Sequence, residues 1–112
     1  MSKKRIGDAG RAAEKAFAAK LGMKLMPASG AASSKGDMSS ERFLLEAKST
    51  IKDKYPVEIQ TLIKIHSEAI MAGKLPALAI LFTDKHGKAV NQGEWVAVPR
   101  WVWEQMEVRE QE

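Results

Sequence analysis

Within residues 35–50, KGDMSSERFLLEAKST, a carboxylate and an ammonium interrupt an apolar run at Glu46 and Lys48, nine and eleven residues after Asp37. Strand side chains alternate between faces, so Glu46 and Lys48 project one way while Leu45 and Ala47 project the other. With Asp37 on a neighbouring strand, its carboxylate converges with that of Glu46. Two carboxylates with room for water suit Mg²⁺, which takes hard oxygen ligands and keeps several of its waters. The backbone carbonyl of Ala47 is a further candidate ligand. Lys48 is then placed to reach a metal-bound water or a scissile phosphate, holding a nucleophilic hydroxide or neutralising developing charge. The bland alternative is that Glu46 and Lys48 form the wet face of an amphipathic edge strand. Phe43, Leu44 and Leu45 argue against it, because three apolar residues in succession indicate a strand covered on both faces, where a charge is costly without a partner.

The elements that must position these groups can be read along the chain. Residues 3–21 predict a helix with Ile6, Gly10, Ala13, Phe17 and Leu21 on one face and Gly22 as its stop. Residues 23–27 predict a short strand closed by Pro27, and 28–36, ASGAASSKG, a loop of small and polar residues. A strand begins at 37–40, turns near Ser39–Arg42 and returns over 42–48, with a basic connection at 49–55. A second helix is expected from Pro56, a favourable first helical residue, to Ala72, with Ile59, Ile63, His66 and Ile70 on one face, Leu62 beside them, and Gly73 ending it. Residues 76–83, PALAILFT, predict a buried strand, 84–94 a turn-rich loop, and 95–98 another strand. Pro99 opens a last short helix through Met106. The order predicts one α/β domain over residues 1–112, helices packed around a small mixed sheet.

The chain has no cysteine, which excludes disulfides and thiolate metal sites. No apolar run approaches the ~18 residues that span a membrane, and the opening MSKKRIGDAG lacks a signal peptide's apolar segment. These features predict a cytoplasmic, intracellular protein with no membrane partner. Of the net charge of +4, residues 104–112 hold four Glu and one Arg, or −3, so residues 1–103 carry +7. A basic body with a short acidic tail suits a polyanionic partner.

The Gly36–Asp37 pair followed by LLEAKST at 44–50 resembles the PD-(D/E)XK nuclease superfamily, and more specifically the archaeal-type Holliday junction resolvases and their phage relatives. The matching positions are Glu14 on the first helix, Ser29 and Gly30 in the small-residue loop, Asp37, Glu46 and Lys48. Gly36 stands where the signature has proline. The resemblance covers about residues 4–98, leaving the C-terminal helix and acidic tail at 99–112 outside it. It implies a restriction-endonuclease-like αβββαβ core and Mg²⁺-dependent hydrolysis of DNA phosphodiester bonds, with Mn²⁺ as a substitute. It implies Asp37 and Glu46 as metal ligands, Glu14 assisting directly or through water, Lys48 activating the attacking water, branched or junction DNA as substrate, and a homodimer. A nuclease for nicked, flapped or mismatched DNA, or a non-catalytic DNA-binding module, are the alternatives.

Several other positions admit two readings. Ser29, Gly30, Ser33, Ser34 and Lys35 are either a phosphate-contacting loop or a plain linker. Gln60 faces from the second helix as Glu14 does from the first, either toward the metal site or toward solvent. Lys3, Lys4 and Arg5 form a basic arm or a frayed end. His66, among isoleucines, reads as a packed histidine and not a ligand, and His86 falls in a turn. Trp95, Trp101 and Trp103 read as packing for the terminal helix or a subunit interface, with base stacking the alternative.

Overall fold

The long run from Phe43 to Thr50 opens on three apolar residues and has no exposed position, which requires cover on both faces. The computed structural model, which describes residues 8–25 and 37–111, places this run at the centre of a five-stranded mixed sheet. The elements are α1 (Asp8–Leu21), β1 (Lys24–Leu25), β2 (Asp37–Ser39), β3 (Phe43–Thr50), α2 (Ile59–Met71), β4 (Leu75–Thr83), β5 (Ala89–Ala97) and α3 (Arg100–Gln111). Strand order follows chain order. β3 and β4 are parallel, joined by the α2 crossover, and every other pairing is antiparallel. The protein is thus a mixed α/β fold, as the order of patterns predicts. Among the described residues no helix is long and apolar enough to cross a membrane.

The two faces of the sheet are filled differently. On one, Leu45 and Ala47 of β3, Met38 of β2 and Ala77, Ala79 and Leu81 of β4 meet Ala13, Phe17 and Ala18 of α1. The small side chains allow close approach: a Cβ added at Gly10 would lie 2.8 Å from Ser49 Oγ. Lys20 of α1 also reaches Glu94 of β5, Nζ to Oε2 2.9 Å. On the other face α2 contributes Ile65 and Ala69, its buried residues.

Four expectations change. The helix placed from Pro56 starts at Ile59, because Glu58 is still extended (φ −96°, ψ 142°) and serves as the N-cap. Val57, in that extended stretch, lines an apolar groove with Leu62, Leu78 and Pro99 while staying 46% exposed. The apolar stripe of α2 does not face the sheet. Ile59, Ile63 and Ile70 are exposed, His66 with them, and Ile65 and Ala69 are the residues buried. The loop of 84–94 is mostly strand. Its turn is confined to Asp84–Lys88, where Asp84 Oδ1 accepts the backbone N–H groups of His86 (2.8 Å) and Lys88 (3.0 Å). These bonds hold the Asp84 carboxyl below its usual range. Finally, the terminal helix runs to Gln111, well past Met106, with Pro99 supplying carbonyl acceptors to Val102 and Trp103 just before its first turn.

The first part of β5 reads as loop in the sequence because Asn91 and Gly93 are turn formers, whereas its end from Trp95 reads as strand. They form a bulge instead: Gln92 has φ 59°, and the β4–β5 register slips between Leu81 and Thr83. Gly93 fits there because an added Cβ would lie 2.6 Å from the Phe82 carbonyl oxygen and 2.9 Å from that of Val90. Both are backbone atoms and cannot yield cheaply. Gly93→Ala is therefore expected to lower stability by about 1–3 kcal/mol, read as a reduced urea midpoint at unchanged m-value.

Candidate active site

The hairpin that joins β2 to β3 sets the site. Ser40 N–H donates to the Phe43 carbonyl (3.0 Å), Phe43 N–H donates to Ser40 Oγ (3.1 Å), and Lys74 Nζ donates to the Ser40 carbonyl (2.7 Å). A turn this tight leaves one register, in which Asp37 lies directly opposite Glu46. Residues directly opposed in an antiparallel pair have Cβ atoms about 4.5–5.5 Å apart, close enough for the two carboxylates to converge. Both residues are buried, Asp37 8% and Glu46 9% exposed. Lys48, two residues along the same face, brings Nζ to 3.5 Å from Glu46 Oε1 while keeping its own side chain 38% exposed. The ammonium stands at the mouth and the carboxylates inside.

Glu14 approaches from α1. It is half-buried beside Ala13 and Phe17. Burial pushes its carboxyl above the usual range; the positive charges of Lys48 and Arg11 pull it back, and the negative charge of Asp37 adds to the rise. Two of the charges that act on it, Lys48 and Asp37, are ones singled out in the sequence, and both adjoin Glu46, through the ion pair and the β2–β3 register. With Glu14, Asp37, Glu46 and Lys48 all ionised, three carboxylates and one ammonium leave a net charge of −2.

Ala47 has its side chain fully buried against the α1 layer, between the two charged positions of β3. Gln60 is exposed in the first turn of α2. The α2 side chains that line the small cavity against Asp37, Leu44 and Glu46 are Ile65 and Glu68. Glu68, whose Oε1 is 3.9 Å from Lys64 Nζ, is the acidic neighbour that sequence reading missed. The available signal was its place one turn after Ile65, once Ile65 is known to face the sheet. Ser29, Gly30, Ser33, Ser34 and Lys35, with Lys3, Lys4 and Arg5, lie outside the described residues. His66 packs edge-on against Trp101, centroids 5.8 Å apart at 81°, in agreement with a packing role. Trp101 is half-buried, whereas Trp95 and Trp103 are exposed.

The donor set suits a hard divalent ion. Among the described residues no three His, Asp or Glu side chains are grouped to hold a metal between them. An ion that needs a full protein cage is a poor fit. Mg²⁺ binds through one or two carboxylates and retains water, and the Asp37–Glu46 pair meets that requirement. The fit rests on the chemistry of the pair: two buried oxygen donors of like charge, directly opposed. Comparison of the chain with protein-family models, curated proteins and solved structures finds no match.

The raised pKa of Glu14 has a measurable consequence. Its protonated form is the one the fold favours, so this stabilisation is complete below the unfolded-state pKa and is lost as pH rises through the folded-state value. Glu14→Gln is expected to be more stable than the parent at neutral pH, with the advantage vanishing as both are acidified below the usual carboxylate range. Denaturant midpoints of the two chains across pH, without divalent ions, give the comparison.

Proposed function

We propose that this protein is a Mg²⁺-dependent endonuclease that hydrolyses DNA phosphodiester bonds, of the PD-(D/E)XK type and acting on junctions as the Holliday junction resolvases do. The observation that carries the reading is the buried, directly opposed pair Asp37 and Glu46 with the Lys48 ammonium at its mouth. Like charges placed opposite each other across a strand pair destabilise a sheet. Such an arrangement is retained where a cation offsets the repulsion, and the partly exposed Lys48 supplies one positive charge against the site's three carboxylates.

Asp37 and Glu46 would hold the ion, with the Ala47 carbonyl a further donor and Glu14 acting directly or through water. A bound divalent ion supplies Lewis-acid activation of water and charge neutralisation at phosphate. The chain's own groups do the rest. Lys48, both exposed and tied to Glu46, orients the attacking water and stabilises negative charge that builds on the phosphate oxygens. Glu14 favours its protonated state more than a solvated carboxyl does, which makes it the site's candidate proton carrier. The +7 carried by residues 1–103 attracts the polyanionic substrate.

Cleavage of labelled four-way junction, flap, nicked and linear DNA, with Mg²⁺ and with chelator, tests the reading. Asp37→Asn and Glu46→Gln keep side-chain shape and should each lower turnover by about 10³-fold or more while leaving the fold intact. Lys48→Met keeps the stem and should lower single-turnover rate by about 10²-fold with little loss of binding. Unchanged rates in the two carboxylate variants would sink the metal assignment. Weakened binding at an unchanged rate would make Lys48 a phosphate anchor only.

Cutting both symmetric strands of a junction calls for two sites at fixed separation, which a two-fold dimer provides. The supporting observation is the α2 stripe that the fold leaves uncovered: Ile59 is 66% and Ile63 57% exposed, next to the apolar groove that runs to Val98 and Pro99. An apolar surface of this kind marks an interaction site. The proposed interface therefore lies on α2 and the β5–α3 junction, where the groove takes in Ala97, Val98 and Pro99 of the WVAVPRWVW segment of 95–103 and leaves Trp95 outside it. Light scattering should give a dimer for the parent and a monomer for Ile63→Glu, with paired nicks on junctions lost in that variant. A parent that is monomeric and cuts linear duplex as fast as junctions would rule out the resolvase assignment and leave the hydrolytic chemistry untouched.

A further inference from the structure

The register of β3, β4 and β5 puts Lys48, Ile80 and Trp95 in one lateral row on one face of the sheet. Adjacent strands lie about 4.8 Å apart, so Trp95 is roughly 10 Å from the Lys48 position. That distance is no more than about three steps of duplex rise. Trp95 is 61% exposed, yet its ring is not loose: the indole N–H donates to the Gln92 carbonyl at 2.7 Å. The bulge that turns Gln92 to φ 59° provides that carbonyl. Gly93, where a side chain would strike backbone, keeps the bulge compact.

Around the ring is a groove lined by Ile51, Lys52, Phe82, Val90 and Trp95. It lies where β3 and β4 end, beyond Lys48 along β3. Its chemistry is an aromatic face oriented by its own hydrogen bond, beside the apolar Ile51, Phe82 and Val90, with Lys52 and Asp53 also on the lining. An apolar peptide would leave Lys52 unused, and a bare phosphate would leave the aromatic floor unused. A nucleotide uses both, since its base stacks on an indole while its phosphate meets an ammonium.

We infer that the Trp95 groove takes an unstacked base of the DNA strand whose phosphate lies at Lys48. The inference rests on the nuclease reading for its placement of the phosphate, and it narrows the substrate class to DNA with an unpaired or readily unstacked base beside the cut. A fully stacked duplex presents no free base face to the groove. A junction, flap or mismatch does.

The test separates base stacking from charge attraction and needs no cleavage. Fluorescence anisotropy in chelator compares a labelled short oligothymidylate with an abasic strand of the same length. The parent protein is expected to bind the base-bearing strand about fivefold more tightly or better, because stacking contributes per base and charge does not distinguish the two. Trp95→Ala should erase that preference while leaving abasic binding unchanged, and Trp95→Phe should keep most of it. Equal affinity of the parent for both strands overturns the inference, as does a preference that survives Trp95→Ala. A Trp95→Ala chain that keeps the preference but loses its dimer on light scattering makes the groove a contact between copies, and also overturns it. A parent that cleaves junctions without preferring bases removes the groove alone. One that prefers bases without ever cleaving removes the nuclease reading alone.

Discussion

Two carboxylates held face to face across one antiparallel pair are the constraint to which this fold answers. At separations of about 5 Å and an effective dielectric near 20, unit like charges repel by roughly 3 kcal/mol. Any register other than the observed one would separate Asp37 and Glu46. The Ser40–Phe43 turn, closed by two hydrogen bonds and clamped by Lys74, removes that escape. Lys48 then supplies the nearest opposing charge from the same strand and face. The arrangement is costly in isolation and useful to a cation.

Holding such a pair requires rigid surroundings, and the two sheet faces supply them by different means. Toward α1 the contacts are small: Gly10, Ala13, Ala47, Ala77 and Ala79 let helix and strands approach closely, which brings Glu14 within electrostatic reach of Asp37 and Lys48. Toward α2 the buried contact is made by Ile65 and Ala69. Glu68 lies beside the acidic pair, and an isoleucine stripe turns outward. One helix thus brings Glu14 to the site, while the other leaves an apolar stripe exposed.

The far side of the sheet shows the same economy. A bulge that looks like a loop in the sequence keeps β5 paired, twists its outer strand and supplies the carbonyl that orients Trp95. Loop-forming residues here serve the sheet. The interruption they introduce falls just beyond the row that Lys48 shares with Ile80 and Trp95, so the irregular strand and the charged strand share one face there.

The sequence alone determined what depends on local spacing. Period-two alternation put Glu46 and Lys48 on one face, the apolar triplet before them required cover on both sides, and the short interval from Asp37 required a hairpin. These follow from backbone geometry over a few residues, and β2, β3 and the carboxylate pair were legible for that reason. The first helix, Gly22 and Gly73 as stops, and the apolar strand at 75–83 were legible on the same grounds. Tertiary structure decided what depends on which partner an element meets. α2 carries two apolar arcs, and only packing selects Ile65 and Ala69 over Ile59, Ile63 and Ile70; that choice also places Glu68, and not Gln60, at the cavity. The start of α2 shifted because the backbone stays extended through Glu58, past Pro56 and Val57. β5 formed through Asn91–Gly93 because ladder hydrogen bonds to β4 outweigh local turn preference. Periodicity states that a face is apolar, but the choice of which face is buried is made by contacts distant in sequence, and no local pattern encodes them.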